Sequence, residues 1–199
     1  MAAAVYEKGI VRKLQVRARQ SVTAFELMLG SLITKKWTKI NDKNVTVING
    51  ELLGEVIRIY NENFTERSPK LFTLYTRFFK RTTYLYADEK EVKGYCLYLI
   101  KPSLSITGLK KTAILYSFAV DTNSGGQGIG TGLLQKSLFE MRSNSVDKII
   151  LHVAKDNRAA ISLYEKVGFK ITDEIMDICS SGKACYQMEL TFDHSSEGA

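Results

Sequence analysis

The sequence contains few of the residues that bind metals or cross-link secreted chains, with three cysteines and two histidines among its 199 residues. Cys96, Cys179 and Cys185 show no C-x-x-C spacing, so the sequence predicts neither a zinc site nor a disulfide framework. Two imidazoles also argue against a histidine-based metal cluster. These features favour a reducing compartment, cytoplasmic or nuclear.

Long apolar runs are also missing. The longest, such as Tyr95–Ile100, fall far short of the ~18–20 residues of a transmembrane helix, so we expect no transmembrane segment. The N-terminus lacks the pattern of a secretory signal peptide, although its arginine-rich, acid-poor residues 8–34 leave an organelle transit peptide open. With 45% hydrophobic and 25% charged residues, the chain has the composition of one globular domain.

Positive charge is concentrated at the N-terminus. Residues 1–40 contribute +6 of the net charge of +7. We predict a basic, helical N-terminal arm at residues 1–43, a nearly neutral domain at residues 44–192 and a disordered tail at residues 193–199. The arm is either a solvated helical face or a docking segment for nucleic acid, a ribosome or an anionic membrane. We expect deletion of residues 1–40 to leave catalysis intact.

Hydrophobic periodicity within the domain predicts the order β-α-α-β-β-β-α-β-α-β-β, a mixed α/β or α+β fold. Thr82–Tyr86 and Val92–Ile100 flank a short charged turn, which is typical of a hairpin. The segment Lys101–Lys111 predicts a loop, and the apolar segment Thr112–Val120 predicts a buried strand.

A glycine-rich segment follows that strand, and residues 121–134 read DTNSGGQGIGTGLL. Successive glycines let backbone amides converge where a strand turns into a helix, and a helix N-terminus of this kind favours a pyrophosphate. A Walker A loop is excluded because no Gly-Lys-Ser/Thr follows. A Rossmann fingerprint fits poorly, since Leu133 occupies the position of its third glycine.

This loop and a later segment together resemble the GNAT (Gcn5-related) N-acetyltransferase superfamily. The superfamily's loop reads Gln/Arg-x-x-Gly-x-Gly/Ala. Gly128 and Gly130 match it, whereas Gly125 stands where Gln or Arg is usual and Gln127 is the candidate substitute. Residues 151–169, LHVAKDNRAAISLYEKVGF, are similar to the second acetyl-CoA motif. Within the superfamily, residues 44–192 most resemble N-alpha-acetyltransferase catalytic subunits of the San (separation anxiety) type.

The resemblance implies the GNAT acyl-CoA N-acyltransferase fold, a mixed central sheet flanked by helices. It also implies acetyl-CoA as cosubstrate, without a metal. In such enzymes the glycine loop holds the phosphates and the strand before it lies along the pantetheine arm. The residues that the resemblance assigns to acetyl-CoA are Phe118, Val120, Gly125, Gly126, Gln127, Gly128, Ile129, Gly130, Thr131, Asn157 and Tyr164.

Acetyl transfer to an amine needs a neutral amine, a stabilised oxyanion and a protonated leaving thiolate. The resemblance implies that His152 is the general base, acting through water, and that Tyr164 protonates the thiolate or orders the thioester. Tyr116 is the alternative base, and we expect it on one strand face with Ile114 and Phe118 because side chains alternate. For His152 and Tyr164, packing in the core is the structural alternative.

The acceptor implied by the resemblance is a peptide or protein N-terminus, with lysine side chains left open. Phe64, Glu66 and Tyr116 are the candidate acceptor-binding residues. One alternative is acetylation of a small amine of the polyamine kind. Another is a non-catalytic CoA-binding scaffold that acts through the basic arm, for instance on a ribosome or nucleic acid. For the enzyme, the candidate partner of the basic arm is an auxiliary subunit or a ribosome.

Overall fold

The computed structural model describes residues 24–37, 42–64, 69–88, 91–106, 108–176, 179 and 184–194. Behind a first helix, α1 at residues 24–34, the elements follow the predicted order. Helices α2 to α5 cover Leu53–Asn63, Pro69–Phe78, Ile129–Ser143 and Arg158–Lys166. Strands β1 to β7 cover Val45–Val47, Thr83–Asp88, Glu91–Ser105, Gly108–Val120, Lys148–Ala154, Lys170–Met176 and Ala184–Thr191.

Three predictions fall on residues outside these ranges. Residues 1–23 of the predicted arm, residues 195–199 of the predicted tail and the candidate acceptor-binding Glu66 are not among the described residues. Among the helices that are described, none is long and apolar enough to cross a membrane.

All seven strands form one mixed sheet in the order β1-β2-β3-β4-β5-β7-β6. Neighbouring strands are antiparallel except β4 and β5, which are parallel. These two strands pair only over Thr112–Ile114 and Lys148–Ile150, so they separate toward their carboxyl ends. The predicted mixed sheet flanked by helices is confirmed.

Helices cover both faces of this sheet. On one face, Tyr95 of β3 packs against Phe72 of α3, whose ring stacks on Tyr60 of α2 at 4.0 Å. On the other face, the hydroxyl groups of Tyr98 in β3 and Ser137 in α4 are hydrogen-bonded at 2.9 Å. We call these the α2–α3 face and the α4–α5 face, because α5 also packs on the second.

The prediction of a loop at Lys101–Lys111 is wrong, since β3 and β4 continue as a hairpin to Ser105 and Gly108. Pro102 of β3 pairs with Lys111 of β4. The amide of Lys111 points away from β3 and donates a hydrogen bond to the Asp147 carboxylate at 2.7 Å. The Pro102–Lys111 pair is therefore a non-hydrogen-bonded one, which asks for no N–H from the proline. A proline thus occupies the strand without losing a ladder bond.

Residues 24–37 pack against the sheet. A Cβ atom at Gly30 would collide with the carbonyl oxygen of Ile100, so glycine permits the close approach of α1 to β3. The Glu26 carboxylate forms an ion pair with Lys101 at 2.9 Å, and Trp37 is buried in the main core. The domain boundary at residue 43 stays a prediction, but these contacts attach part of the predicted arm to the domain.

Two N-terminal truncations should therefore behave differently. Deleting residues 1–23 should lower the free energy of unfolding less than deleting residues 1–40, because it removes none of these contacts. Deleting residues 1–40 also removes Trp37, and loss of a buried tryptophan typically costs about 3–5 kcal/mol. Urea unfolding of both truncations and of Trp37→Ala would measure the difference. Equal stability of the two truncations would contradict the assignment of residues 24–37 to the folded domain.

Candidate active site

A cleft of about 560 Å³ opens where β4 and β5 separate. Beyond Ile114 the edge of β4 has no β5 partner, so an extended ligand can pair with its backbone there. The cleft brings together most of the predicted site residues outside the glycine loop. Its lining residues are Asn63, Phe64, Leu115, Tyr116, Ser117, Phe118, Ala119, Val120, His152, Val153, Ala154, Asn157, Ala159, Ala160, Leu163, Tyr164 and Cys179.

A β-bulge interrupts β4 at Tyr116. Ser117 pairs with Leu97, whereas Leu115 pairs with the next residue of β3, Tyr98, so Tyr116 is the extra residue. Its ring lies edge-on to Tyr75 of α3, with 4.9 Å between the ring centroids. The bulge thus presents Tyr116 on the α2–α3 face.

Phe118 lies on the opposite face, which corrects the expectation that it shares a face with Ile114 and Tyr116. It pairs with Cys96 across the β3–β4 ladder, and its ring packs edge-on to Tyr164 of α5 with centroids 6.1 Å apart. The extra residue of the bulge reverses the alternation of side chains along β4, and residue counting alone does not reveal it. The cleft consequently has different walls on the two faces of the sheet.

The glycine loop turns directly into α4. Gly126 and Gly128 have left-handed φ angles of 74° and 77°, which glycine adopts with little strain, and Gly128 is the N-cap of α4. The amides of a first helical turn lack intrahelical acceptors and carry the positive end of the helix dipole. Gly130 lies in this turn, where a Cβ atom would be 3.2 Å from the Phe118 ring. The loop therefore has the backbone geometry to hold an anion at the α4–α5 side of the cleft.

Asp121 anchors the start of this loop. Its carboxylate accepts a hydrogen bond from the Asn123 amide at 2.9 Å and forms a 2.8 Å ion pair with Arg58 of α2. The Arg58 guanidinium holds the pKa of Asp121 below its usual value. Sequence reasoning missed Arg58, because no local pattern links α2 to a loop so distant along the chain.

His152 lies half-buried on β5, on the α2–α3 face. Its face follows from the pairing of Ile150 with Ile114, because residues 150 and 152 point the same way along a strand. His152 therefore shares a face with Tyr116 across the cleft. Its Nε2 atom is 3.3 Å from the side-chain oxygen of Gln187 on β7, a neighbour that the sequence analysis did not predict.

Tyr164 belongs to the α4–α5 side. It is buried, and its ring packs edge-on to Phe118 and Phe169. Burial raises the pKa of its phenol, so the hydroxyl keeps its proton at neutral pH. Asn157 caps α5, because its side-chain oxygen accepts a hydrogen bond from the Ala160 amide at 3.1 Å. The side-chain amide nitrogen of Asn157 is then left to donate to a ligand.

A disulfide joins Cys179, at the edge of the cleft, to Cys185 of β7. This corrects the expectation that the cysteines form no disulfide. Cys179 lies in the connection between β6 and β7, and its Cα atom is 6.2 Å from that of Cys185. A C-x-x-C spacing does not describe this pair, because the chain between β6 and β7 is what brings the two cysteines together.

Residues 53–169 match the acetyltransferase (GNAT) family. The match covers more than half of the chain, so the chain belongs to this family, and the resemblance predicted from the sequence is confirmed. The matched range contains both the glycine loop and His152, Asn157 and Tyr164.

Individual relatives agree over shorter stretches. The chain is 48% identical over 44 residues to N-alpha-acetyltransferase 30 of Schizosaccharomyces pombe, covering 22% of this chain and 29% of that protein. It is 34% identical over 59 residues to mycothiol acetyltransferase of Corynebacterium glutamicum, covering 30% of this chain. The match spans 20% of the mycothiol acetyltransferase, about a fifth of its length.

A solved structure of the NatC complex bound to Gag peptide and CoA is similar in fold over 75% of this chain and 98% of its own matched chain. The TM-score is 0.67 at 18% sequence identity, so the likeness concerns the fold.

Proposed function

We propose that this protein transfers the acetyl group of acetyl-CoA to the N-terminal α-amino group of a peptide or protein. The observation that carries the proposal is the opposition of two half-sites across the gap between β4 and β5. The glycine loop, Phe118 and Tyr164 lie on the α4–α5 side, whereas Tyr116 and His152 lie on the α2–α3 face. Two substrates that enter from opposite faces meet in this gap.

The α4–α5 half-site suits acetyl-CoA. The amides at the N-terminus of α4 suit the pyrophosphate, and the unpaired edge of β4 suits the amide-containing pantetheine arm. Asn157 has a side-chain amide nitrogen left to donate to that arm. In this proposal the thioester lies in the gap, between Tyr164 and the residues of the α2–α3 face.

In the proposed reaction, the ammonium group of the acceptor first loses a proton to a base on the α2–α3 face. The neutral amine then attacks the thioester carbonyl, so that a C–N bond forms and the C–S bond breaks. The attacking nitrogen loses its second proton, which passes through water to the leaving thiolate. The raised pKa of Tyr164 makes complete proton transfer to a thiolate unfavourable, but it guarantees an O–H that donates a hydrogen bond to the developing charge. Tyr164 therefore stabilises the leaving sulfur.

Tyr164→Phe tests this role, because it keeps the ring that packs on Phe118 and Phe169 and removes only the hydroxyl. We expect kcat to fall about 10- to 100-fold while the Kd for acetyl-CoA stays within about twofold. Steady-state kinetics and calorimetry measure the two quantities. An unchanged kcat would leave Tyr164 with a packing role alone.

The α2–α3 half-site suits a peptide N-terminus. Phe64 and Tyr116 line it, Tyr75 packs behind Tyr116, and none of the described lining residues is Asp or Glu. A polyamine acceptor would call for carboxylates to balance its several charges. An aromatic wall instead accommodates the first side chain of a peptide. The similarity to N-alpha-acetyltransferase 30 agrees with this acceptor.

The similarity to mycothiol acetyltransferase favours a second candidate, acetylation of a small-molecule amine. Thiol release from acetyl-CoA distinguishes the candidates when peptides that differ in their first two residues, N-terminally blocked lysine peptides, polyamines and small aminothiol conjugates are compared. We expect the highest kcat/KM with free peptide N-termini. Turnover with small amines alone would favour the second candidate. Binding of CoA without turnover of any acceptor would favour the non-catalytic scaffold.

A further inference from the structure

A row of polar side chains runs along the α2–α3 face of β5 and β7, beside the cleft. His152 is paired with Gln187 across the two strands, and Ile150 is paired with Glu189. The His152 Nε2 atom is 3.3 Å from the Gln187 Oε1 atom, and the Gln187 Nε2 atom donates to the Glu189 Oε1 atom at 2.9 Å. Lys148 completes the row, with its ammonium group 3.5 Å from the Glu189 Oε2 atom.

The chemistry of this row fixes the orientation of the Gln187 amide. A carboxylate only accepts hydrogen bonds, so the amide nitrogen of Gln187 has to face Glu189. The amide oxygen then faces His152. Because that oxygen only accepts, the His152 Nε2 atom has to donate and therefore carries the proton of the neutral ring.

We propose that Gln187 is a positioning residue that holds His152 in the tautomer with the proton on Nε2, which leaves Nδ1 as the atom that receives the proton of the acceptor amine. The base role of Nδ1 rests on the proposed function, whereas the tautomer does not. Glu189 acts one step further away by orienting the Gln187 amide. Lys148 holds Glu189 from its other oxygen.

Thr172 of β6 provides a built-in comparison. Its hydroxyl oxygen also lies near the Gln187 amide nitrogen, but at 3.4 Å, and a hydroxyl both donates and accepts. It therefore cannot fix the direction of the amide as the Glu189 carboxylate does. Removal of the Thr172 hydroxyl should leave the tautomer of His152 unchanged, whereas removal of the Gln187 amide should not.

The tautomer can be read directly from long-range ¹H–¹⁵N correlations of the ring nitrogens, at a pH where both imidazoles are neutral. The chain has two histidines, so His194→Gln assigns both sets of signals. His194 is an internal reference, because its Nε2 atom is 2.8 Å from the carbonyl oxygen of Val146 and has to carry its proton in all variants.

We expect His152 to carry its proton on Nε2 in the parent and in Thr172→Val, and to populate both tautomers in Gln187→Met. The kcat of Gln187→Met should fall about tenfold, as expected when one hydrogen bond of about 1.4 kcal/mol is lost from the transition state, with the KM for acetyl-CoA within about twofold. If Gln187→Met does not fold, Glu189→Ala frees the amide to rotate, and Glu174→Ala on β6 controls for the loss of one carboxylate.

A parent whose His152 carries the proton on Nδ1 would overturn the proposal. So would a folded Gln187→Met with the tautomer and kcat of the parent. A shift of the tautomer in Gln187→Met, in a protein that acetylates no amine, would support the hold of Gln187 on the ring and overturn the proposed function. The spectroscopic and kinetic readings thus separate the two hypotheses.

Discussion

His152→Ala is expected to lower kcat by about 10²–10⁴-fold near neutral pH, the usual effect of removing a general base. The loss should shrink as the pH rises, because the acceptor amine is then increasingly neutral and no longer needs a base. The KM for acetyl-CoA should change little, since the glycine loop lies on the other side of the cleft. A pH–rate profile of parent and variant with one peptide acceptor measures both effects.

His194→Ala is the matched control, because His194 bonds to the carbonyl oxygen of Val146 and does not line the cleft. Its profile should overlay that of the parent. If the His152→Ala profile also overlays the parent, the base is Tyr116 or an ordered water molecule. Tyr116 remains a structurally reasonable alternative because the bulge places it on the same face as His152.

The parts of the site that the sequence predicted are encoded locally. The glycines at positions 126 and 128 permit the left-handed backbone before α4, and Asn157 caps α5 from the position just before its first residue. Each of these features depends on residues within one turn or one helix. Short motifs therefore predicted the glycine loop before α4 and the spacing of Asn157 and Tyr164 along α5.

The parts that the sequence did not predict depend on strand register. The bulge at Tyr116 moves Phe118 to the other face, and the pairing of β5 with β7 brings Gln187 to His152. Pro102 lies in a non-hydrogen-bonded pair, so β3 and β4 continue as a hairpin where the sequence predicted a loop. Register is decided by packing between segments far apart in the chain, so a periodic pattern within one segment does not contain it.

The glycine loop combines a feature that is encoded locally with one that depends on a distant segment. The loop itself is recognisable from its glycines, but the Arg58–Asp121 ion pair that ties it to α2 is not. The Asp121 Oδ1 atom caps the turn that begins the loop by accepting a hydrogen bond from the Asn123 amide. Its Oδ2 atom forms the ion pair with the Arg58 guanidinium of α2. Helix α2 is thereby fixed to the end of β4, from which the glycine loop starts.

Replacing Gly128 by valine is expected to weaken acetyl-CoA binding at least tenfold. Gly128 has a φ angle of 77° and caps α4, and a β-branched residue strongly resists this left-handed conformation. A Cβ atom there would meet nothing within 4 Å, so the substitution strains the backbone without a collision in the core. If valine relaxes to another backbone conformation, binding has to restore the left-handed one. A cost of about 1.4 kcal/mol for this change weakens the Kd for acetyl-CoA tenfold.

Gly132→Ala separates this effect from a general change in the loop and helix. Gly132 lies in α4, has nothing within 4 Å of an added Cβ atom and shows no positive φ angle, so alanine should stabilise the helix by up to about 1 kcal/mol. Its Kd for acetyl-CoA should equal that of the parent. Calorimetric titration of both variants, with thermal unfolding to verify that each is folded, makes the comparison. When the residue that caps α4 leaves the left-handed conformation, the amides at the start of the helix change their directions. A folded Gly128→Val protein with the affinity of the parent would therefore mean that the pyrophosphate does not bind to these amides.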